Sequence, residues 1–271
     1  MQHKLIACIG GGNMAQGILF GLIQQGYPAQ QIIVCDPNPE KLALFDAQGA
    51  QTSNDNVQAA QQADVLLLAV KPQIMAEVCR SLSAVDFSNK LVISIAAGIS
   101  TRRLHQLLPS AQSIIRVMPN TPALVGAGIS GLFAPPSVSE QDRAFAQDLL
   151  AAVGKTCWLD DEQQMHAVTA ASGSSPAYFF LFMQAMQQTL EQMNIAPQSA
   201  RELVQQAMLG AAKLSEKQPH LSFAELRQNV TSKGGTTAAA IEVFEQQQLA
   251  QIVQQAMQAC VARSVEMEEM L

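Results

Sequence analysis

Short, almost wholly apolar runs punctuate the first part of the chain: "KLIACI" (4–9), "QIIVCD" (31–36), "DVLLLAV" (64–70), "LVISIA" (91–96) and "SIIRVM" (113–118). Amphipathic stretches such as 13–26 and 72–84 lie between them. Strand-like runs alternating with helix-like ones predict a parallel sheet covered by helices on both faces. "GISGLFA" (128–134) and "KTCWLD" (155–160) read as two further strands around a helix at about 139–152. This first half is expected to be a doubly wound α/β domain over residues 1–160.

After Asp160 the period changes. "SPAYFFLFMQAMQQTLEQMN" (175–194), "PQSARELVQQAMLGAAKLSEK" (197–217) and "QQLAQIVQQAMQACVARSVEMEEM" (247–270) all repeat their apolar positions at helical spacing. Ser175-Pro176 and Pro197 suit helix openings. Residues 161–271 are therefore expected to form an all-α domain. Its helices carry wide Ala, Met and Leu faces that must be buried. A second copy of the chain buries them best, which predicts a homodimer; an internally packed bundle is the alternative.

Composition narrows the class. Of 271 residues 48% are apolar, enough for a large core, and the net charge of −6 comes with no basic stripe, so nucleic acid is not the expected partner. No apolar run reaches the roughly 18 residues of a membrane helix. The opening "MQHKLIACIGGG" reads as a strand and a turn rather than a signal peptide. The five cysteines are scattered without a CxxC, and the four histidines without metal-ligand spacing. A reduced, cytoplasmic protein with no metal is expected.

Two glycine clusters carry the candidate chemistry. In "IACIGGGNMAQG", Gly10, Gly12 and Ala15 form G-x-G-x-x-A, and the segment Gly10, Gly11, Gly12, Asn13, Met14, Ala15 joins a strand to a helix. That is the context of a dinucleotide fingerprint: one glycine for the turn, one for close approach of a pyrophosphate, and a small residue for helix–strand packing. Asp36, closing the next strand, is placed to accept from a ribose 2′-hydroxyl and to repel a 2′-phosphate, which favours NADH over NADPH. Lys41 is expected on a solvated helix face, with pairing to a phosphate as the alternative. The loops at Ala69, Val70, Lys71 and Pro72, at Ala96, Ala97 and Gly98, and at "MPNTP" (118–122) with Asn120 and Thr121 all follow strands, where open α/β sheets bind ligands. The second cluster lies in "NVTSKGGTTAAAIEVFEQ" (229–246), where two glycines and two threonines open an alanine-rich helix. Free amides at a helix start suit an anion, and an ordinary N-cap is the competing use.

"IGGGNMA", "AVKP", "SIAAG", "MPNTPA", "SGSSPAY" and "GGTT" occur in this order, and together they resemble pyrroline-5-carboxylate reductases over nearly the whole chain. The resemblance implies a Rossmann-type domain followed by a helical dimerisation domain, dimers that assemble further into decamers, and reduction of 1-pyrroline-5-carboxylate to L-proline by NADPH or NADH, the last step of proline biosynthesis. It implies that Asn56 and the loops at 69–72 and 96–98 contact the cofactor. It also implies that Ser232, Gly234, Gly235, Thr236 and Thr237 hold the substrate, with Thr237 as the catalytic hydroxyl that orients the ring nitrogen. Ser174 and Ser175 cap a helix or line the pocket, and Asn120 offers an amide to substrate. Asp36 departs from the Ser or Thr of many relatives, and Lys233 stands where proline is common. Two rival classes are hydroxyacid dehydrogenases, whose helix lysine is missing from "MHAVTAASGSSPAYFF" (165–180), and a non-catalytic dinucleotide sensor.

Overall fold

The computed structural model describes residues 3–271; the expected domain start at Met1 lies outside them. Among the described residues there is one eight-stranded sheet, built of β1 (Ile6–Ile9), β2 (Ile32–Cys35), β3 (Gln51–Ser53), β4 (Val65–Leu68), β5 (Leu91–Ser94), β6 (Ser113–Met118), β7 (Gly128–Phe133) and β8 (Gly154–Trp158). Their spatial order is β3-β2-β1-β4-β5-β6-β7-β8. Neighbours are parallel throughout, with the exception of the antiparallel pair β6–β7. Residues 119–127 alone join that pair, and a parallel crossover takes about a dozen residues or more.

The apolar runs are continuous because both faces of the central strands are covered. Cys8, Val34, Leu67 and Ile93 point into a core with Ile18 and Leu19 of helix α1 (Asn13–Gln24) and with Phe145 and Leu149 of α6 (Glu140–Ala151). Their chain neighbours Ala7, Ile9, Leu66, Leu68 and Val92 point the other way. There they meet Ala59 of α3 (Asn56–Gln62), Met75 and Cys79 of α4 (Met75–Ser81) and Leu104 of α5 (Thr101–Leu107). Removing one such leucine from water contributes about 1.5–3 kcal/mol. Helix α2 (Pro39–Asp46) begins after the Asn38 side chain, which accepts from the Glu40 N–H. Asp55 and Ser100 cap α3 and α5 in the same manner. The helix expected over 72–84 divides into a 3₁₀ turn, Pro72–Ile74, and the shorter α4. Three thiols, Cys8, Cys35 and Cys79, lie inside this unit, whereas Cys157 is exposed and Cys260 half-buried.

The helical part comprises α7 (Gln164–Val168), a π-turn at Thr169–Gly173, α8 (Ser175–Gln192), α9 (Pro197–Lys217), α10 (Phe223–Asn229), α11 (Thr236–Gln246) and α12 (Leu249–Met270). Asn194 and Gln248, both at positive φ, end α8 and separate α11 from α12. Pro197 opens α9 as expected. In the chain taken alone, Phe180 is 66% exposed and Leu181 67%.

The compact units are one that runs to Pro176 and takes back Cys260–Leu271, and a second, Ala177–Ala259. Charge explains the return of the last helix turns. Arg116, 2% exposed on β6, donates through Nη1 to Glu162 (3.0 Å) and Glu268 (2.8 Å). Glu162 in turn accepts from the Thr101 backbone N–H at 2.7 Å and its hydroxyl at 2.6 Å, fixing the start of α5. His166 Nδ1 lies 2.9 Å from Ser264 Oγ. These partners lie far apart in sequence, so no local pattern announces them.

Candidate functional site

The carboxyl ends of β1, β2, β4 and β5 come level at one edge of the sheet, where Ile9 pairs in register with Cys35 and Leu68, and Leu68 with Ser94. Strand order reverses between β1 and β4, and ligands of open α/β sheets bind at such a switch. The expected cofactor loops all issue from this edge. Gly10 sits at the crevice itself, with φ +105°; its N–H donates to the Cys35 carbonyl at 2.7 Å, and a Cβ there would fall 2.7 Å from the Ala69 carbonyl oxygen. Gly11 is packed against Phe45 and Asp36. Gly12, the N-cap of α1, is different: a Cβ built on it meets nothing within 4 Å, and no side chain caps the helix. An open backbone at an uncapped helix start fits a pyrophosphate. Asn13 is exposed and Met14 half-buried beside it, while Ala15 is 1% exposed and packs into the core, as a small third position should. Asn56, half-buried, opens α3 beyond β3.

The remaining loops occupy the same edge. Ala69 and Val70 are half-buried and Lys71 exposed, with Pro72 starting the 3₁₀ turn. Ala96 and Gly98 are buried and Ala97 half-buried. Gly98 has φ +71°, and a Cβ there would lie 3.4 Å from the Met267 Cβ and 3.5 Å from the Glu268 nitrogen in α12.

Asp36 does more than the sequence suggests. It is 7% exposed, its Oδ2 accepts from the Gly11 N–H at 2.8 Å, and its Oδ1 accepts from the Asn38 N–H at 2.9 Å. Lys41 Nζ lies 3.1 Å from Oδ2 and 3.4 Å from Oδ1. Burial alone would raise its pKa; the Gly11 and Asn38 amides and the Lys41 ammonium outweigh that and hold the carboxyl below its usual value. Lys41 is thus an ion-pair partner of Asp36, with its side chain still 41% exposed.

Asn120 is the N-cap of the 3₁₀ turn after β6. It is buried, its Oδ1 accepts from the Ile129 N–H at 2.9 Å and its Nδ2 donates to the Ser172 carbonyl at 3.2 Å. Each end of the amide makes one bond to protein, so Asn120 joins "MPNTP" to the "SGSS" segment. Gly173 supports the same junction, since a Cβ there would lie 2.5 Å from the Met118 methyl carbon. Ser174 stands just before α8, with the Cys260 thiol donating to its Oγ at 3.4 Å, and Ser175 is buried as the first residue of that helix. The π-turn that delivers both serines went unread in the sequence; such turns recur at functional sites.

The second unit carries the late glycine cluster. Gly234 has φ +73°, and Gly235, the N-cap of α11, donates its N–H to the Ser232 carbonyl at 3.0 Å. A Cβ on Gly235 would lie 2.5 Å from Ser232 Oγ, which would have to rotate, and 3.2 Å from the Ser232 carbonyl oxygen. No side chain caps α11, and Ser232, Lys233, Gly234, Thr236 and Thr237 are exposed in the single chain. Gly235 itself occupies the N-cap position that the ordinary capping reading also allows.

Comparison with known proteins completes the picture. Residues 162–267 match the family described as pyrroline-5-carboxylate reductase dimerisation, and residues 5–98 match the one described as NADP oxidoreductase, coenzyme F420-dependent. A pyrroline-5-carboxylate reductase of Haemophilus influenzae is 67% identical over 268 residues, 99% of either chain. The solved structure of a pyrroline-5-carboxylate reductase from Coxiella burnetii is 40% identical, covers 98% of this chain and 99% of that one, and superposes with a TM-score of 0.92. The Plasmodium falciparum pyrroline carboxylate reductase, solved with NADP bound, is 25% identical with a TM-score of 0.88 and covers 99% of each chain. With relatives this similar along its full length, the chain belongs to the pyrroline-5-carboxylate reductase family.

Proposed function

We propose that this chain reduces 1-pyrroline-5-carboxylate to L-proline, the glycine edge of the sheet holding NAD(P)H and the start of α11 holding the substrate carboxylate. The observation that carries the substrate half is the uncapped, glycine-opened helix start at Gly235, with Thr236 and Thr237 exposed beside it. Unsatisfied amides and the positive end of the helix dipole favour a carboxylate there. Gly10–Ala15, Asn56, Ala69–Pro72 and Ala96–Gly98 are the residues we assign to the cofactor; the open backbone at Gly12 fits its pyrophosphate.

The reduced nicotinamide, when bound, supplies the hydride. The protonated imine carbon receives it, the C=N double bond becomes single, and the nitrogen keeps its proton as a secondary amine. A substrate already this electrophilic asks the protein for orientation and a dry pocket rather than for a strong acid. We assign the Thr237 hydroxyl to the ring nitrogen, with Thr236 beside it, and assign Ser174 and Ser175 to substrate binding as well. The 161–271 region, almost coextensive with the family's dimerisation match, serves dimerisation and substrate binding, and its exposed Phe180 and Leu181 suit burial by a second copy. Assembly of five dimers into a decamer and residence in the cytoplasm belong to the same reading; no helix among the described residues is long and apolar enough to cross a membrane.

Replacing Thr237 with alanine is expected to lower kcat by about a hundredfold, the effect of losing one oriented hydrogen-bond partner of the ring N–H, and to leave NAD(P)H affinity nearly unchanged. Steady-state kinetics with 1-pyrroline-5-carboxylate, alongside nucleotide titration, measure both quantities. Wild-type turnover in the variant removes Thr237 from this role.

A further inference from the structure

The end of β2 presents an ammonium where the sequence promised a carboxylate. Asp36 has its side chain 6% exposed, with one oxygen on the Gly11 N–H and the other on the Asn38 N–H. Lys41 closes over it, its own side chain 41% exposed. A carboxylate pair of oxygens offers about four acceptor sites, and two backbone amides with one bridging ammonium fill most of them. Little remains to receive a ribose hydroxyl. The ammonium, by contrast, has three donors and can keep the carboxylate while reaching a further anion.

We propose that Lys41 is the specificity-determining residue for the 2′ end of the dinucleotide, favouring the 2′-phosphorylated form, and that Asp36 is a positioning residue that locks the glycine turn. The expectation that Asp36 selects NADH is thereby reversed. Two distances carry the inference: the 2.8 Å bond from the Gly11 N–H, which ties Asp36 to the fingerprint turn, and the 3.1 Å ion pair, which cancels the charge that would repel a phosphate. Acidic residues at this place in dinucleotide folds read the ribose, and a nearby cation accommodates the 2′-phosphate. Here the cation lies outermost. Lys41 is fixed in this position by sequence: Asn38 caps α2, Pro39 starts it, and Lys41 stands in its first turn.

The inference rests on the dinucleotide reading above, and direct binding separates the two. Dissociation constants for NADPH and NADH are measured with the intact chain by quenching of nicotinamide fluorescence, for the parent, Lys41→Ala, Lys41→Arg and Asp36→Asn. Lys41→Ala is expected to weaken NADPH by about tenfold or more, the worth of one charge-assisted contact, and to shift NADH less than twofold. Lys41→Arg is expected to retain the NADPH affinity. Asp36→Asn, which loosens the turn, is expected to weaken both nucleotides together. Equal shifts for both nucleotides in Lys41→Ala, or none, overturn the assignment, as does an Asp36→Asn variant that weakens NADH alone. Turnover of 1-pyrroline-5-carboxylate by the parent chain tests the reaction independently, so failure of either idea leaves a distinct record.

Discussion

Gly10→Ala is expected to cost the chain about 3 kcal/mol of stability and to weaken nucleotide binding by at least roughly a hundredfold. Two independent costs meet at this residue. Its φ of +105° is one that an L side chain seldom adopts, an expense of about 1–3 kcal/mol. The added methyl would also fall 2.7 Å from the Ala69 carbonyl oxygen and 2.8 Å from its carbon, and these are backbone atoms of the adjoining β4 end that cannot rotate away. Relief requires β1 and β4 to part at the crevice where the pyrophosphate is assigned. Affinity should therefore fall together with stability. Urea unfolding and nucleotide titration of the variant measure the two; a variant that binds normally would show that the crevice is not where the cofactor sits. Ala at position 12, where a Cβ meets nothing within 4 Å, has no comparable steric conflict with the protein itself.

Arg116→Ala is the second large effect. Removing the guanidinium leaves Glu162 and Glu268, with side chains only 16% and 18% exposed, facing each other without their shared cation. Breaking a buried pair from one side costs about 3–5 kcal/mol. The loss should be visible in the urea midpoint, with the slope of the transition kept. Much of the cost is carboxylate left unpaired rather than the worth of the bonds, so the triple variant Arg116→Met, Glu162→Gln, Glu268→Gln is expected to recover a substantial part of it. Gln at 162 keeps an acceptor for Thr101. If Arg116→Ala is as stable as the parent, the network does not hold the end of α12 to the sheet.

These two residues also mark how far the sequence could be read. Gly10 was legible because its function is local: a strand, a turn and a helix lie within a few residues, and only glycine suits the turn. The buried strands were legible for a related reason, since "VLLL" on β4 is covered on both faces and leaves no polar position to confuse the pattern. Gln51–Ser53 was not, being a short edge strand with partly exposed polar side chains. The short helices α3, α5 and α10 also escaped, although Asp55, Ser100 and Ser222 announced their starts. The direction of β7 could have been inferred from the brevity of 119–127. Arg116, by contrast, reads as an odd charge in a strand, and its meaning lies in carboxylates 46 and 152 residues away. Asn120 illustrates the same limit. Its two protein partners, the Ile129 N–H and the Ser172 carbonyl, are brought to it by the fold and not by any local pattern.

The interior thiols have a practical corollary. Burial pushes the Cys35 and Cys79 sulfhydryls up to about 11, and Cys8 further still, so at neutral pH they remain protonated and shielded from alkylating reagents. Cys8 is fully enclosed on β1, the strand beside the nucleotide crevice. An electrophile can reach it only in those rare excursions when the strand comes away from its neighbours. The native chain thus carries its own chemical stopwatch, one whose ticking counts how often the centre of the sheet falls open.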